Sequence, residues 1–326
     1  MKDTWGREIT YLRISLTDRC NLRCVYCMPP EGVKKREHRE ILSLEEIEEI
    51  AGAAAELGVR KLRLTGGEPL VRRGMLSLCR RLRRLPGVEE LALTTNGLLL
   101  PEMAEDLKAA GVDRVNISLD TLDPACYRRI TRGGSLEAAL AGIRAAARAG
   151  LTPLKLNCVL IGGVNDGEIP ALCALTEQEP VEVRFIELMP IGDAAGFGQE
   201  AYLPCEAVLE RAPGLEPIDG GSADGGSADG GGVAERYRLP GAAGTVGLIR
   251  PLSRCFCGSC DRIRLTADGY LKPCLHSREE IPLRGLHGEA LRRQLEQAIL
   301  HKPRQHGELS AQVRSQAARD MNQIGG

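Results

Sequence analysis

No stretch of this sequence approaches the roughly 20 consecutive apolar residues that a membrane-crossing helix needs. Its opening, MKDTWGREIT, has no apolar signal region. An excess of charge is missing too. The 43 lysines and arginines nearly balance 44 acidic residues, for a formal charge of −1, so no overall field draws in nucleic acid or an anionic membrane. The basic run RRLRRL at 80–85 falls in a helical pattern and reads as a solvated helix face. These absences predict a cytoplasmic protein that binds neither nucleic acid nor membrane. That compartment keeps thiols reduced, so disulfides are not expected either.

Cysteine is nevertheless abundant, with 12 in the chain. Cys79, Cys126, Cys158, Cys173 and Cys205 stand singly in apolar surroundings and read as small buried hydrophobes. The other seven cluster. RCNLRCVYC places Cys20, Cys24 and Cys27 together, and CFCGSCDRIRLTADGYLKPC places Cys257, Cys260 and Cys274. A closed zinc site or an ordinary iron–sulfur cluster takes four ligands, so each triad is one short. Cys255 lies beside the second triad and is ambiguous.

The 326 residues alternate short β-like runs with helical ones. Six runs read as strands: YLRISLT, KLRLT, LALTT, RVNISLD, LKLNCVL and VEVRFIEL. SLEEIEEIAGAAAELG reads as a helix with Ser43 as N-cap, Glu46 completing a capping box and Gly58 as a stop. Strands joined by helical crossovers mean a parallel sheet. Buried parallel strands should be apolar on both faces, yet here one parity is polar. Arg13, Ser15 and Thr17 share a face, as do Arg63 and Thr65, Asn116, Ser118 and Asp120, Lys155 and Asn157, and Glu182 and Arg184. A curled, incomplete (β/α)6 barrel with a polar lumen fits that pattern. The expected domains are a barrel over 1–219, a flexible loop over the repeat GGSADGGSADGGG at 220–232, and a C-terminal region over 233–326.

The first triad, spaced C-x3-C-x2-C, follows the first strand, where parallel sheets place their sites. A zinc site would need its second half nearby, and no such partner follows. Three thiolates suit a [4Fe–4S] cube whose fourth iron takes a ligand that is not protein. This loop, with Tyr26 before the last cysteine and Gly66-Gly67-Glu68-Pro69 after the second strand, resembles the radical S-adenosylmethionine (SAM) enzymes. The resemblance implies that the open iron chelates SAM, which one electron cleaves to a 5′-deoxyadenosyl radical.

The second triad, spaced C-x2-C-x13-C, has a zinc ribbon as its alternative, with Cys255 as a candidate fourth ligand. Its neighbours favour something else. Arg262 and Arg264 are two apart and share one side of an extended segment. Paired guanidiniums suit a phosphorylated substrate.

The pieces TDRCNLRCVYCMP, RLTGGEPL, LTTNG, NISLD, RFIELMP, FCGSCDRIRLTADG and a terminal IGG occur in order. In that combination the chain is similar to the GTP 3′,8-cyclase family, which opens molybdenum-cofactor biosynthesis. The resemblance implies two [4Fe–4S] clusters, the first on Cys20, Cys24 and Cys27 with SAM, the second on Cys257, Cys260 and Cys274 with the guanine of GTP. It implies SAM contacts at Tyr26, Gly67, Ser118 and Met189, and GTP contacts at Arg13, Arg63, Thr94, Lys155, Arg262 and Arg264. Arg262, Arg264 and an inserted tail ending in Gly325 and Gly326 are the implied catalytic elements. The implied partners are GTP, an electron donor, a downstream cyclic pyranopterin monophosphate synthase and a second copy of the chain. Asp261 where the family often has Asn, the extra Cys255 and the Gly-rich repeat are departures. The rival expectations are a radical SAM enzyme acting on a peptide and a zinc-binding regulatory module.

Overall fold

The computed structural model describes residues 1–33, 36–218 and 233–325. The repeat expected to be a loop at 220–232 lies outside the described residues, as does Gly326.

Strand and helix alternate as the periodicity predicts. The order is β1 (Tyr11–Ser15), α1 (Leu44–Glu56), β2 (Lys61–Thr65), α2 (Met75–Arg83), β3 (Glu90–Thr95), α3 (Leu100–Ala109) and β4 (Arg114–Ser118). Then come α4 (Pro124–Thr131), α5 (Leu136–Arg148), β5 (Leu154–Leu160), α6 (Ile169–Gln178), β6 (Val181–Glu187) and α7 (Glu206–Arg211). The rest comprises β7 (Glu216–Pro217), β8 (Glu235–Arg238), β9 (Thr245–Ile249), β10 (Arg262–Leu265), β11 (Tyr270–Lys272), β12 (Ile281–Pro282), α8 (Gly288–Leu300) and α9 (Met321–Ile324). At the start of α1 the Ser43 side chain accepts from the Glu46 amide at 3.1 Å, and the Glu46 carboxylate accepts from the Ser43 amide at 2.7 Å. That reciprocal cap satisfies two donors the helix cannot pair itself. The helix then buries Ile47, Ile50, Ala51 and Ala54 against the sheet.

Among the described residues the sheet has 12 strands in the order β12-β11-β10-β1-β2-β3-β4-β5-β6-β9-β8-β7. Its six central strands are those expected. Two more, β10 beside β1 and β9 beside β6, join them in parallel. TVGLI of β9 is mostly apolar, and RIRL of β10 alternates but spans only four residues, so local sequence assigns neither a place in the sheet. Antiparallel strands extend both ends, and among the described residues the end strands β12 and β7 do not pair to close a barrel.

Register turns the polar parity into a surface. Arg13 sits between Arg264 on β10 and Arg63 on β2. Asn116, Lys155, Glu182 and Thr245 form a row across β4, β5, β6 and β9. The opposite parity, with Leu12, Leu62, Leu91, Val115, Leu156, Val183 and Val246, is buried beneath the helices. The sheet's concave face encloses a cavity of about 630 Å³ whose wall includes Arg13, Arg63, Lys155, Arg262 and Arg264. Cys79, Cys126, Cys158, Cys173 and Cys205 are buried as free thiols, and Arg80, Arg83 and Arg84 of the basic run are exposed around a buried Leu82.

Candidate active site

The first triad occupies one loop that leaves β1. Its backbone is braced by the turn after β2: the Gly67 amide donates to the Thr17 carbonyl at 2.7 Å, and the Glu68 amide to the Arg19 carbonyl at 2.8 Å. A Cβ at Gly66 would lie 2.4 Å from the Thr17 oxygen, and one at Gly67 2.4 Å from the Arg19 oxygen. Only glycine permits that approach. Glu68 is buried and accepts from the Leu70 amide, the Thr95 hydroxyl and the Asn96 amide at 2.8–3.0 Å. Burial pushes its carboxyl up to about 7 despite those donors. The Asn96 side chain reaches on to Cys20 Sγ at 3.9 Å and to Asn21 at 2.7 Å.

The three cysteines are half-buried. Cys27 and Met28 donate their amides to the Cys24 carbonyl, which curls the loop into a helical turn. Tyr26 points inward, and its hydroxyl donates to Asp120 at 2.7 Å. Burial raises the Cys24 thiol well above its ordinary value and pushes Cys27 up to about 12, with neighbouring sulfurs and acids adding to both. Such thiols stay protonated unless a metal supplies positive charge. Ser118 ends β4 beside Asn157, and Met189 lines the cavity just beyond β6.

The second triad is assembled from two segments. Cys257 and Cys260 lie on a short turn just before β10, and Cys274 lies just after β11. Because β11 runs antiparallel to β10, pairing Lys272 with Arg264, Cys274 returns to the end of β10 where Cys260 stands. Lys302, 2 % exposed, holds the segments together by donating to the Arg262 carbonyl at 2.8 Å and the Pro273 carbonyl at 2.5 Å. Arg7, paired with Asp3 at 2.6 Å, donates to the Cys257 carbonyl at 2.8 Å. Burial raises the Cys260 thiol, but Lys302 and Arg262 outweigh it and the net shift is downward. Cys274 is raised by burial.

The triads therefore lie at opposite ends of parallel strands. Cys20 follows β1, whereas Cys260 precedes β10, whose start is level with Tyr11. A five-residue strand spans roughly 13–17 Å, and the arginine wall fills that interval. Arg63 Nε and Arg262 Nε are buried without a hydrogen-bond partner. Burial lowers Arg63 and Arg264 to about 10, and burial with Arg184 nearby lowers Lys155 to about 8. Nine basic residues line the cavity against three acidic ones, so the vacant donors and crowded cations suit a polyanionic ligand. Thr94 does not line it; its hydroxyl accepts from Arg63 at 3.4 Å and steadies that guanidinium instead.

The tail enters from the other side. Arg319 grips Asp268 at 2.8 and 2.9 Å and Glu280 at 2.6 and 2.7 Å. Asn322 then donates its side chain to the Asp18 carbonyl at 3.0 Å, and its amide reaches the Cys27 sulfur. Ile324 is buried, and the Gly325 carbonyl accepts from Arg264 Nη1. A Cβ at Gly325 would lie 2.2 Å from the Thr65 hydroxyl. Sequence reasoning missed Lys302, Arg319 and Tyr11, and it placed Arg184 on the polar face without giving it a role. The ring of Tyr11 lies 5.6 Å from the Arg63 guanidinium and 5.9 Å from that of Arg262. Only the polar parity of β6 singled out Arg184; the others carry no local signal.

Residues 14–176 match the Radical SAM superfamily and residues 181–308 match Molybdenum Cofactor Synthesis C. The chain is 49 % identical over 329 residues to GTP 3′,8-cyclase of Alkaliphilus oremlandii (strain OhILAs), covering 100 % of both. It is 53 % identical over 327 residues to GTP 3′,8-cyclase of Peptoclostridium acidaminophilum, covering 99 % of this chain and 98 % of that one. Among solved structures, Streptococcus suis SuiB matches with a TM-score of 0.61 at 14 % identity, over 91 % of this chain; the chain spans 66 % of SuiB's length. Methylornithine synthase (PylB) matches with a TM-score of 0.52 at 18 % identity, over 64 % of this chain and 62 % of that one. The solved structures share the fold, and the family implies a [4Fe–4S] cluster with SAM, which the contiguous triad fits. The chain belongs to the GTP 3′,8-cyclase family of the radical SAM superfamily.

Proposed function

We propose that this chain converts GTP to 3′,8-cyclo-7,8-dihydro-GTP, the first step of molybdenum-cofactor biosynthesis, in a chamber between two [4Fe–4S] clusters. The observation that carries the reading is the arginine wall spanning the interval between the two cysteine triads. Cys20, Cys24 and Cys27 would hold the first cluster, with Tyr26, Gly67, Ser118 and Met189 around SAM. Cys257, Cys260 and Cys274 would hold the second. When bound, the first cluster and SAM supply the one-electron chemistry that takes a hydrogen atom from ribose C3′, after which that carbon closes onto C8 of the same guanine.

The remaining work falls to the chain. Arg13, Arg63, Lys155, Arg262 and Arg264 hold the triphosphate and base, and Thr94 steadies Arg63. Ring closure is intramolecular, so fixing ribose and base in contact removes most of its entropic barrier. Charge on the triphosphate, remote from C3′ and C8, supplies the binding energy that fixes them. The tail seals the chamber near the first triad, and Arg264 ties its Gly325 carbonyl to the substrate wall; Gly325 and Gly326 remain the proposed catalytic end of the chain. An external electron donor, a downstream cyclic pyranopterin monophosphate synthase, a homodimer and a cytoplasmic setting complete the assignment, with the barrel at 1–219 and the substrate-side region at 233–326.

The test is anaerobic reconstitution with iron and sulfide, followed by incubation with SAM, dithionite and GTP. The expected products are 5′-deoxyadenosine and a cyclised nucleotide in equal amounts. Abundant 5′-deoxyadenosine with GTP recovered unchanged would overturn the reading.

A further inference from the structure

Cys255 is exposed, whereas the five single cysteines outside the triads are buried. It faces a histidine 51 residues away. Cys255 Sγ and His306 Nε2 lie 3.6 Å apart, and Cys257 Sγ joins them, the three atoms lying within 4.8 Å of one another. A tetrahedral ion with metal–sulfur bonds of about 2.3 Å and metal–nitrogen bonds of about 2.05 Å sets those two ligand atoms about 3.6 Å apart. The observed edge has that length.

The histidine is also prepared as a ligand. Its Nδ1 lies 2.6 Å from the Gly307 carbonyl oxygen and must donate to it. That bond places the proton on Nδ1 and leaves the Nε2 lone pair directed at the sulfurs. A ligating histidine almost always donates its other nitrogen in this way. The His276 ring packs edge-on at 4.9 Å and is itself held by Ser315 at 3.0 Å, which fixes the imidazole plane. On the other side, Arg7 binds the Cys257 carbonyl at 2.8 Å.

We propose that Cys255, Cys257 and His306 form a mononuclear site for a thiophilic divalent ion, zinc or ferrous iron, with a fourth position open to water. Two thiolates and an imidazole are the donor set such ions favour. The site shares Cys257 with the second triad. If that triad holds a cluster, as proposed above, the ion and the complete cluster exclude each other. Zinc captured here before assembly then blocks the second cluster and spares the first.

Cobalt(II) is the probe, because tetrahedral thiolate coordination gives it intense visible and charge-transfer absorption. The protein is the full-length chain, iron-free and anaerobic, with Cys20, Cys24 and Cys27 changed to Ala. One equivalent of cobalt is expected to develop the tetrahedral spectrum. Cys255→Ser at an exposed position and His306→Gln at a half-buried one should weaken binding by at least the roughly 10- to 100-fold that losing a supporting group costs a metal site. The pair Cys260→Ala and Cys274→Ala should leave the spectrum intact. If that pair abolishes it while the Cys255 and His306 variants bind normally, the ion belongs to the triad and the proposal falls. This titration uses no cluster, so it decides the site independently of the second-cluster assignment. A second readout is iron content: wild-type chain reconstituted with one equivalent of zinc present should hold about four irons fewer than without it. Cys255→Ser should remove that deficit, and a deficit that persists in the variant would overturn the exclusion.

Discussion

The two triads use the same three ligands in opposite surroundings. The first is local, eight residues of one loop, with thiols raised by burial and by acids such as Asp120 and Asp320. The second is tertiary, two segments joined by Lys302, and cations pull Cys260 below its ordinary value. Those cations favour the Cys260 thiolate, although burial still raises Cys274, and they also attract a triphosphate. The first site favours thiolate only once a metal is present. On the proposed function, the contrast separates a place for one-electron chemistry from a place for holding an anion.

Emptying each triad in turn is the sharpest way to test that separation. Changing Cys20, Cys24 and Cys27 to Ala should remove about four of roughly eight irons per chain and abolish SAM cleavage. Changing Cys257, Cys260 and Cys274 to Ala should remove a similar amount of iron, yet leave SAM cleavage measurable while cyclised nucleotide disappears. Iron assay and chromatography of 5′-deoxyadenosine read both. Loss of SAM cleavage from the second variant would erase the distinction.

The wall between the triads should respond to a smaller change. Arg262→Ala and Arg264→Ala each remove a charged contact to an anion, worth on the order of 2–3 kcal/mol. That is roughly 30- to 150-fold in GTP affinity, with iron content unchanged. The two should differ in one respect. Arg264 also holds the carbonyls of Ile324 and Gly325, so its loss should additionally uncouple SAM cleavage from cyclisation. Calorimetric titration with GTP and the ratio of the two products separate these effects.

Legibility in the sequence follows the same line. The first triad could be read directly because its ligands are contiguous and its brace is a glycine turn that no other residue permits. The lumen could be read because alternation repeats on five strands, and register then brought Arg13, Arg63 and Arg264 side by side. What escaped depends on distant pairing. Lys302 sits in a segment after α8 with nothing to mark it, and its partners are 29 and 40 residues away. The parallel pairing of β9 and β10 onto the barrel strands escaped for a similar reason. RIRL could be read as extended, but nothing local shows which strands it and TVGLI join, because their partners lie far along the chain.

Lys302→Met is therefore a test of the tertiary half alone. It leaves the buried carbonyls of Arg262 and Pro273 without a donor, a cost of roughly 1–3 kcal/mol. Urea unfolding of the cluster-free chain should show that loss. The reconstituted variant should release iron to a chelator from the second triad while the first keeps its share. Equal release from both would show that the triads are coupled through the sheet.

The smallest expected effect lies at the far side of the lumen. Lys155 is 3.2 Å from Glu182, and burial together with Arg184 lowers its ammonium to about 8. Below that pH the lysine is a cation and contributes to GTP binding. As pH rises through about 8 the free chain loses the proton, and binding GTP must restore it. One-proton linkage then weakens GTP affinity by at most about tenfold per pH unit above 8, with little change below. Lys155→Arg keeps the charge throughout this range, because guanidinium does not titrate there. Its affinity should stay flat between pH 7 and roughly 9, apart from any slope contributed by other groups. Titrations of both proteins across that range give the answer. The same slope in wild type and variant would place the titrating group elsewhere and leave Lys155 as a structural partner of Glu182, while a slope present only in the wild type would put it in contact with the bound anion.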